Sequence, residues 1–376
     1  MNVNKICKVC IMDISDPEII FKNDICNHCI RFENIKHQRL NTGPDSKEVF
    51  NKLIKDIKQN GKGKKYDCII GVSGGVDSTY VAYLLVKNGI RPLAVHFDNG
   101  WNSELAVSNI EKTISNLGIH LHTHVMDWNV FKKIQLAFLK SSTPDCEIPT
   151  DHAINAVLLD TAKKYNIKYI INGMNFATEG MAVPSWSYGH SDWVYIKDIL
   201  KKNSVGIKYF KDYPHFSLIK LFQNIILNRV KIVSILNYIN YDKENALVTI
   251  KNDLDYRPYE QKHYESIFTR FFQGYYLIEK FGFDKRRGHL SDLIRSKQLT
   301  RKQGLKQIEF DPYTDVNKKE EDIKYVMKKL ELNKTDLKIL INNKNKNYSN
   351  YKNSKDLIGR LKTYYNFFRM KGIFQK

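Results

Sequence analysis

The feature that most constrains the fold is an alternation of strand-like and helical segments between residues 47 and 171. Short apolar runs predict strands, and segments with apolar residues on one face predict helices. Alternating strands and helices are typical of a parallel sheet covered by helices on both faces. The sequence therefore predicts an α/β fold with a doubly wound parallel sheet. We expect strands at 66–73, 93–97, 120–126 and 168–171, and helices at 47–60, 78–87, 104–117, 130–139 and 153–165.

A glycine-rich segment joins the first strand of this sheet to the following helix and reads SGGVDS over residues 73–78. Gly74 and Gly75 allow the backbone to turn tightly beside a ligand, and N–H groups at the helix start attract an anion. Ser73 and Ser78 add hydroxyl donors, while Asp77 suits a Mg²⁺ ion that bridges phosphate oxygens. A tight turn with a helix cap is the alternative. The position between strand and helix favours an ATP-binding phosphate loop, and the absence of Gly-Lys-Ser/Thr excludes a Walker A loop.

Two further strand ends carry candidate nucleotide ligands. Open α/β sheets bind ligands beyond the carboxyl ends of their strands. His96, Phe97 and Asp98 end the second strand, where Phe97 could flank an adenine and Asp98 could reach a ribose or a metal ion. Gly173 and Asn175 follow the fourth strand. The alternatives are a core position for Phe97 and an ordinary turn after it.

Four of the six cysteines lie within the first 29 residues. Cys7 and Cys10 form one C-X2-C pair, and Cys26 and Cys29 form the second after fifteen intervening residues. This spacing is typical of a four-cysteine zinc site, which is closed to water and therefore structural. An iron–sulfur cluster is the alternative metal centre. His28 could replace one cysteine but is expected beside the metal site or on the surface.

The other two cysteines do not indicate a nucleophile. Cys68 lies inside an apolar strand, where we expect a small buried side chain. Cys146 lies in a loop near the expected site. Neither is flanked by the glycines of a nucleophile elbow, so the sequence predicts no glutaminase within this chain.

The net charge of +20 is unevenly distributed. Residues 1–180 hold 22 basic and 19 acidic residues, which leaves 38 and 21 of the totals of 60 and 40 for residues 181–376. Solvated lysines and an anion-binding face are both compatible with this excess. We expect a zinc module at 1–40, an ATP-binding domain at 41–180 and a basic, mainly helical region at 181–376 for substrate or partner binding, with helices near 264–281 and 318–332 and a loop at 342–355.

No apolar run is long enough to span a bilayer, and the N-terminus lacks the apolar segment of a signal peptide. We therefore expect a cytoplasmic protein.

Several segments together resemble a known family. With the cysteine pairs and the 73–78 loop, residues 149–154, 172–180, 262–275 and 284–301 are similar to the N-acetyl sugar amidotransferases of surface-polysaccharide biosynthesis. These belong to the PP-loop ATP pyrophosphatase superfamily, whose fold is adenine nucleotide alpha hydrolase-like. The resemblance implies ATP cleavage between the α and β phosphates and adenylation of an amide oxygen. It further implies conversion of an acetamido group to an acetamidino group with ammonia.

The resemblance also implies partners and catalytic residues. Ammonia would come from a separate glutaminase subunit, with a cyclase-like subunit as a further partner. The substrate would be an N-acetylated sugar that carries an anionic group or a nucleotide. Ser73 and Asp77 would act in the phosphate loop, Lys262 and Arg270 would neutralise charge, and His263 and Glu265 could move protons. Further candidate cations are Lys285, Arg286 and Arg287.

A tRNA-modifying PP-loop enzyme, such as a thiolase, is the alternative function. It would account for the basic excess and for the cysteine module. Thiolation needs reactive cysteines close to the adenylate, and only Cys146 lies in a suitable segment. Nucleic acid is therefore not the expected partner.

Overall fold

The computed structural model describes residues 5–181, 183–206, 208–259, 264–357 and 359. Seven strands occur within these ranges: β1 Phe21–Lys22, β2 Ile25–Cys26, β3 Cys68–Gly71, β4 Pro92–Asp98, β5 His120–Val125, β6 Tyr169–Asn172 and β7 Lys231–Ser234. Helices up to residue 179 are α1 Asn27–Arg39, α2 Ser46–Gly61, α3 Val76–Lys87, α4 Glu104–Leu117, α5 Trp128–Ser141, α6 Ile148–Lys164 and α7 Phe176–Glu179. The predicted helices and strands of this part are confirmed, with bounds that differ by up to five residues.

The five longer strands form one parallel sheet in the order β5-β4-β3-β6-β7. The chain runs outward from β3 to β5 and then returns to the other side of β3 with β6. The strand order therefore reverses between β3 and β6. In open α/β sheets this switch point is where ligands bind, beyond the carboxyl ends of the strands. The segments after β3 and β6 are the phosphate loop and the segment that begins at Gly173.

Buried side chains cover both faces of the sheet, as a doubly wound fold requires. On one face, Ile69 and Phe97 pack with α5 and α6 residues such as Phe131. On the other face, Ile70 and Ala94 pack with residues of α2, α3 and α4. Neighbouring residues of β3 and β4 thus pack into the cores on opposite faces of the sheet, because successive side chains of a strand point to opposite sides.

Beyond residue 180 the described chain is mainly helical, as expected. The helices are α8 Trp193–Lys202, α9 Tyr209–Asp212, α10 Leu218–Phe222, α11 Lys243–Leu254, α12 Ile267–Phe271, α13 Leu277–Phe281, α14 Arg286–Arg295, α15 Arg301–Ile308, α16 Val316–Leu330 and α17 Lys334–Asn342. Single π-helical turns continue α10 over Gln223–Leu227 and join α12 to α13 over Phe272–Tyr276. No helix of the described residues is long and apolar enough to cross a membrane.

This region contains one strand that the sequence did not predict and one loop that it did. The fifth strand, β7, pairs with β6 and lies about fifty residues past the expected domain end at residue 180. Its sequence, Lys231-Ile232-Val233-Ser234, contains two β-branched residues, but it is short and was not predicted as a strand. The expected loop at 342–355 is mostly irregular, with one 3₁₀ turn at Tyr348–Asn350, yet it packs on the protein. Tyr351 is buried and its hydroxyl donates to Ser141 O at 2.8 Å.

The cysteine module docks on the C-terminal helices. A hairpin of β1 and β2 turns at Asn23 and Asp24, both with positive φ, as a two-residue type I′ turn requires. Arg287 of α14 forms an ion pair with Asp13 at 3.1 Å. Arg301 of α15 donates to the carbonyl oxygens of Cys7 and Cys10.

His152, in α6, is a buried histidine whose surroundings keep it neutral. Its ring stacks on Phe216 with 4.3 Å between centroids. Nδ1 donates to His190 O, and the Phe216 N–H donates to Nε2. Burial lowers the pKa of His152 to about 4.

We expect His152 to make the protein less stable as the pH falls. Between pH 6.5 and about 4 the unfolded chain binds a proton at this residue and the folded chain does not, so protonation favours unfolding. The loss reaches up to about 3 kcal/mol near pH 4. Urea unfolding of His152→Gln should show a shallower fall in free energy across this window than the wild type. His37→Gln, at an exposed position, should keep the wild-type slope; equal slopes for wild type and His152→Gln would contradict the assignment.

Candidate nucleotide site and cysteine cluster

The phosphate loop is closed by its own hydroxyl groups. The Gly75 N–H donates to Ser73 Oγ at 3.3 Å, and Ser78 Oγ donates to Gly75 O at 3.1 Å. The two serine hydroxyls lie 3.3 Å apart. Gly75 is the N-cap of α3, and no side chain caps this helix. The first N–H groups of a helix have no partner within it, so the loop presents donors and the positive end of the helix dipole to an anion.

Gly74 must be glycine for two independent reasons. Its φ is +80°, which L-residues rarely adopt, and a Cβ would lie 2.6 Å from Ala106 O. The Tyr259 hydroxyl also donates to Gly74 O at 3.1 Å. The loop is therefore held against α4 from one side and by Tyr259 from the other.

Gly173 brings the end of β6 directly against the start of α3. A Cβ at Gly173 would lie 3.0 Å from Ser78 N and 3.1 Å from the carbonyl carbon of Asp77. The two segments singled out in the sequence thus meet at the switch point of the sheet. Asn175, just beyond, caps α7 through its side-chain oxygen, while its buried Nδ2 has no hydrogen-bond partner among the described residues.

Two carboxylates lie at the phosphate loop. Asp77 Oδ1 accepts a hydrogen bond from the Tyr241 hydroxyl. A Cβ on Gly75 would overlap Glu265 Oε1, so Glu265 covers the loop. Carboxylate oxygens are the ligands that Mg²⁺ prefers, and the ion would screen their repulsion of phosphate. Asp77 and Glu265 therefore fit a Mg²⁺-nucleotide better than a free phosphate.

The helical region reaches the phosphate loop through the loop that follows β4. Ser266 forms a bridge with Asn102, the Ser103 N–H donates to Glu265 O at 2.8 Å, and the Ile267 N–H donates to Trp101 O at 2.8 Å. The start of α12 is thus part of the site, although it lies about 190 residues from Gly75 in the chain.

Two residues at the end of β4 form hydrogen bonds with neighbouring loops, and one packs in the core. His96 is buried; its Nδ1 donates to Val72 O at 2.9 Å, and its Nε2 accepts from Asn102 Nδ2 at 3.0 Å. Asp98 accepts from Asn102 Nδ2 and from the Gly100 N–H. Both side chains therefore brace the loop segments around the site. The Phe97 ring points into the core against Phe131, so it packs there and is not free to flank an adenine.

The cations named from the sequence each have a carboxylate partner where the structure describes them. Arg270 makes a bidentate pair with Asp322 in α16, with Nη2 to Oδ1 at 2.8 Å. Lys285 contacts Glu147 at 3.4 Å. Arg286 pairs with Asp284, and Arg287 with Asp13. These cations hold helices and the cysteine module together. Lys262 and His263 lie outside the described residues.

A group of ionisable side chains lies at the start of α6. His190 contacts Asp145 through Nε2 at 3.1 Å and Asp151 through Nδ1 at 2.8 Å. Burial opposes protonation, but the two carboxylates outweigh it and hold the pKa of His190 well above its usual value. Burial also raises the pKa of Glu147, although Lys285 opposes this. The group is joined to the site because Asn99 Nδ2 donates to Thr150 Oγ1 at 3.0 Å.

The four N-terminal cysteines come together as the spacing predicts. All four are buried, and their Sγ atoms lie within 4.8 Å of one another. Cys7 and Cys29 Sγ are 3.9 Å apart, and Cys10 and Cys26 Sγ are 3.7 Å apart. Ligand bonds of about 2.3 Å in a tetrahedron separate the sulfurs by a little under 4 Å. The distances therefore fit one metal ion and exclude disulfide bonds, which hold sulfurs near 2 Å.

Arg295 connects this cluster to the segment that follows α7. It contacts Cys29 Sγ at 3.4 Å and Cys10 Sγ at 3.6 Å, and it donates to Asp292 at 2.6 Å. Asp292 in turn accepts from the Met181 N–H at 3.3 Å. Hydrogen bonds from Cys26 and Cys29 and the charge of Arg295 lower the pKa of Cys10 to about 6. His28 lies beside the cluster, where Nε2 pairs with the buried Asp16 at 2.7 Å, so it is not a ligand in this arrangement.

Sequence reasoning missed Tyr241, Tyr259, Asp292 and Arg295. Each contacts a group that lies far away in the chain. Tyr241 and Tyr259 lie outside the segments singled out in the sequence, whereas Asp292 and Arg295 lie within the 284–301 segment but have no signal of their own there. A lone tyrosine or an Asp-Arg pair on a helix carries no signal for a site. Only the tertiary contacts identify these residues.

Two family descriptions match separate parts of this chain. Residues 67–176 match the family described as queuosine biosynthesis protein QueC, and this range includes the phosphate loop. Residues 265–366 match the family described as LPS biosynthesis protein WbpG-like, C-terminal domain. The chain is a PP-loop protein with a WbpG-like C-terminal domain. The WbpG-like match begins at Glu265, the residue that covers Gly75, so the matched segments meet at the phosphate loop.

Curated relatives of this PP-loop protein match over shorter segments. The tRNA-specific 2-thiouridylase MnmA 2 of Fusobacterium nucleatum is 30% identical over 112 residues, which covers 28% of this chain and 32% of the relative. A glutamine-hydrolysing GMP synthase of Pyrobaculum aerophilum is 30% identical over 153 residues, which covers 38% of this chain and 28% of the relative. The chain thus spans no more than a third of the length of these relatives.

Similar solved structures include two synthetases. NMN synthetase from Francisella tularensis has a TM-score of 0.28 and 15% identity, and the match covers 58% of this chain and 99% of that one. NH3-dependent NAD synthetase from Campylobacter jejuni has a TM-score of 0.29 and 16% identity, and the match covers 56% and 94% of the two chains.

We expect Gly74→Ala to destabilise the protein more than Gly63→Ala does. Both glycines have similar positive φ, +80° and +77°, but a Cβ at Gly63 would meet nothing within 4 Å. The difference therefore isolates the steric overlap with Ala106 O, which should cost about 1–3 kcal/mol beyond the backbone strain. Urea unfolding of the two variants measures it. Equal free energies of unfolding would show that the loop does not pack against α4 as described.

Proposed function

We propose that this protein is the synthase subunit of an ATP-dependent amidotransferase that converts the acetamido group of an N-acetylated sugar to an acetamidino group in surface-polysaccharide biosynthesis. One observation carries the proposal: the WbpG-like region places Glu265 and the start of α12 on a PP-loop at the switch point of the sheet. This contact supports the proposal that the PP-loop part and the region described for LPS biosynthesis form one site. We propose that the reaction takes place in the cytoplasm, where ATP is available.

In the proposed first step the acetamido oxygen attacks the α-phosphorus of ATP. The bond between the α-phosphorus and the bridging oxygen breaks, and pyrophosphate leaves. Ser73, Ser78 and the first N–H groups of α3 bind the pyrophosphate, and Asp77 and Glu265 are proposed to hold Mg²⁺. The ion would neutralise charge that develops on the phosphate oxygens. Gly173 and Asn175 are proposed to border the AMP moiety.

In the proposed second step ammonia attacks the carbon of the adenylated imidate. AMP leaves with the former amide oxygen, and the loss of one proton gives the amidine. Ammonia is proposed to come from a separate glutaminase subunit, with a cyclase-like subunit as a further partner. Lys262 remains our proposed catalytic cation, since Arg270 and the other cations of that set have carboxylate partners.

A tRNA-thiolating activity is the second candidate, because one curated relative is a tRNA-specific 2-thiouridylase. The cysteines argue against it. Sulfur transfer requires a thiolate that reaches the adenylate, and all six cysteines of this chain are buried. Burial raises the pKa of Cys146 well above its usual value, and it also raises the pKa of Cys68. The other four cysteines form the cluster at Arg295.

We expect the wild type to form AMP and pyrophosphate when it is given ATP, ammonium at raised pH and an accepted N-acetyl sugar. A panel of sugar nucleotides and nonulosonates tests the acceptor by mass spectrometry, since replacing O by NH lowers the mass by about one unit. This shift follows from the covalent change and not from binding strength. If bulk tRNA rather than any sugar stimulates AMP release, the tRNA-modification reading replaces this one. ADP as the product would contradict the PP-loop assignment.

Asp77→Asn should lower AMP formation at least about 100-fold, because the carboxylate that holds Mg²⁺ is lost while the side chain keeps its size. Tyr241→Phe removes only the hydroxyl that donates to Asp77 and is the matched control. It should retain most of the activity, and both variants should unfold at urea concentrations close to the wild type. Near-normal turnover of Asp77→Asn would refute the assigned role.

We also propose that the cysteine cluster holds one structural zinc ion. Four thiolates and a closed shell of buried side chains suit zinc and leave no position for water. Purified protein should contain one zinc per chain, and Cys26→Ser should lose the metal and much of its stability. Cys146→Ser, which removes a buried cysteine outside the cluster, should keep it. Iron with sulfide in anaerobically purified protein would indicate an iron–sulfur cluster instead.

A further inference from the structure

The helix that precedes the edge strand β7 exposes large apolar side chains. In α10 and its π-helical continuation, Ile219 is 72% exposed, Phe222 57% and Leu227 70%. Ile232, in β7 itself, is 47% exposed. Large apolar side chains that are exposed together mark interaction sites more often than single ones do.

These side chains share one face of the helix. Ile219 and Phe222 are three residues apart, which places them on the same side of an α-helix. The following turn is π-helical, with the Asn228 N–H bonded to Gln223 O at 3.0 Å. Residues five apart, such as Phe222 and Leu227, are therefore also aligned. Asn224 is buried and donates to Lys220 O, which places the opposite side of the helix against the protein.

The chain on both sides of this apolar helix is rich in basic residues. Over residues 200–233 there are seven basic side chains and one acidic one, Asp212. Lys208, Lys211, Arg229 and Lys231 have no acidic partner among the described residues. Lys220 and Lys202 do have acidic partners, since Lys220 pairs with Asp160 of α6 at 2.8 Å and Lys202 pairs with Asp198 of α8 at 2.9 Å. The basic side chains are Lys201, Lys202, Lys208, Lys211, Lys220, Arg229 and Lys231.

We propose that this face docks the protein on an anionic lipid membrane. An apolar stripe of Ile, Phe and Leu with flanking Lys and Arg is the pattern of a helix that lies in the membrane interface. The apolar side chains would enter the boundary between headgroups and acyl chains, and the cations would lie at the phosphate level. Each basic side chain near an anionic leaflet adds to the attraction.

Charge favours a membrane over two other partners that could cover this face, namely a second copy of the protein and the segment 360–376. A second copy of the chain would bring an equally basic surface. The chain's own end, residues 360–376, contains Arg360, Lys362, Arg369, Lys371 and Lys376 and no acidic residue. Both would repel the cations around the helix, whereas anionic headgroups attract them.

A recess beside the helix also fits docking on an anionic membrane. Its volume is about 360 Å³, and it is lined by Trp193, Lys211, His215, Ser217 and Lys220, among others. Trp193 and His215 stack with 4.1 Å between centroids. A wall of aromatic rings with lysines at the edge suits a headgroup phosphate at the membrane surface. The proposal does not depend on the sugar chemistry, because none of these residues belongs to the nucleotide site.

Cosedimentation of the full-length protein with vesicles tests this proposal. The protein should bind vesicles that contain phosphatidylglycerol, bind vesicles of phosphatidylcholine alone at least about tenfold more weakly, and lose affinity as salt rises. The triple variant Ile219→Asn, Phe222→Asn and Leu227→Asn should weaken binding at least about tenfold. The matched control changes Val248, Val316 and Ile339 to Asn. These are 56%, 69% and 53% exposed and lie elsewhere on the surface, so this variant should bind like the wild type.

Two double charge-reversal variants distinguish binding to anionic lipid from nonspecific hydrophobic adhesion. Lys211→Glu with Lys231→Glu should weaken binding to phosphatidylglycerol vesicles, whereas Lys302→Glu with Lys306→Glu on α15 should weaken it less. Thermal unfolding of all variants should match the wild type, because the altered side chains are exposed. No binding to phosphatidylglycerol vesicles at low salt, or equal binding by both triple variants, would overturn the proposal. The proposal would also be overturned if light scattering showed that the wild type is a dimer and that only the triple variant at Ile219, Phe222 and Leu227 is a monomer.

Discussion

The contact between Gly173 and the start of α3 holds the nucleotide site together. It brings the ends of β3 and β6 close enough that a methyl group would lie 3.0 Å from Ser78 N. The strand order reverses at these two strands, which is where an open α/β sheet binds its ligand. Tyr241 donates to Asp77 and Tyr259 donates to Gly74 O at the same end of the sheet. The helical region after residue 180 therefore completes the phosphate loop and is not an independent appendage.

The basic side chains near the candidate site form ion pairs with carboxylates. Arg270, Lys285, Arg286 and Arg287 each face a carboxylate, so their charge joins helices and leaves little for a phosphate. A buried charge without a partner is costly, and pairing removes that cost. Anion binding then depends on backbone N–H groups and on the proposed Mg²⁺. The excess positive charge of the chain lies instead on surfaces such as the one around α10.

Two buried side chains connect the cysteine cluster to the segment that follows α7. Arg295 lies between the thiolates and Asp292, and Asp292 anchors Met181, just after the segment that begins at Gly173. Four thiolates with a divalent ion carry a net negative charge, which a buried arginine partly neutralises. Loss of the metal would leave the arginine without this counter-charge.

The sequence alone determined the elements whose signal is local. Strand and helix patterns from β3 to β6, the glycines of the phosphate loop and the cysteine spacing are set by residues near in the chain. Two kinds of feature were decided only by the tertiary structure. Strand β7 forms because an open edge of β6 accepts it, and Phe97 packs in the core because its side of β4 faces α5. Likewise, a lysine or arginine looks the same in sequence whether it binds phosphate or a carboxylate. Which partner it meets depends on residues far along the chain, and only folding brings them together.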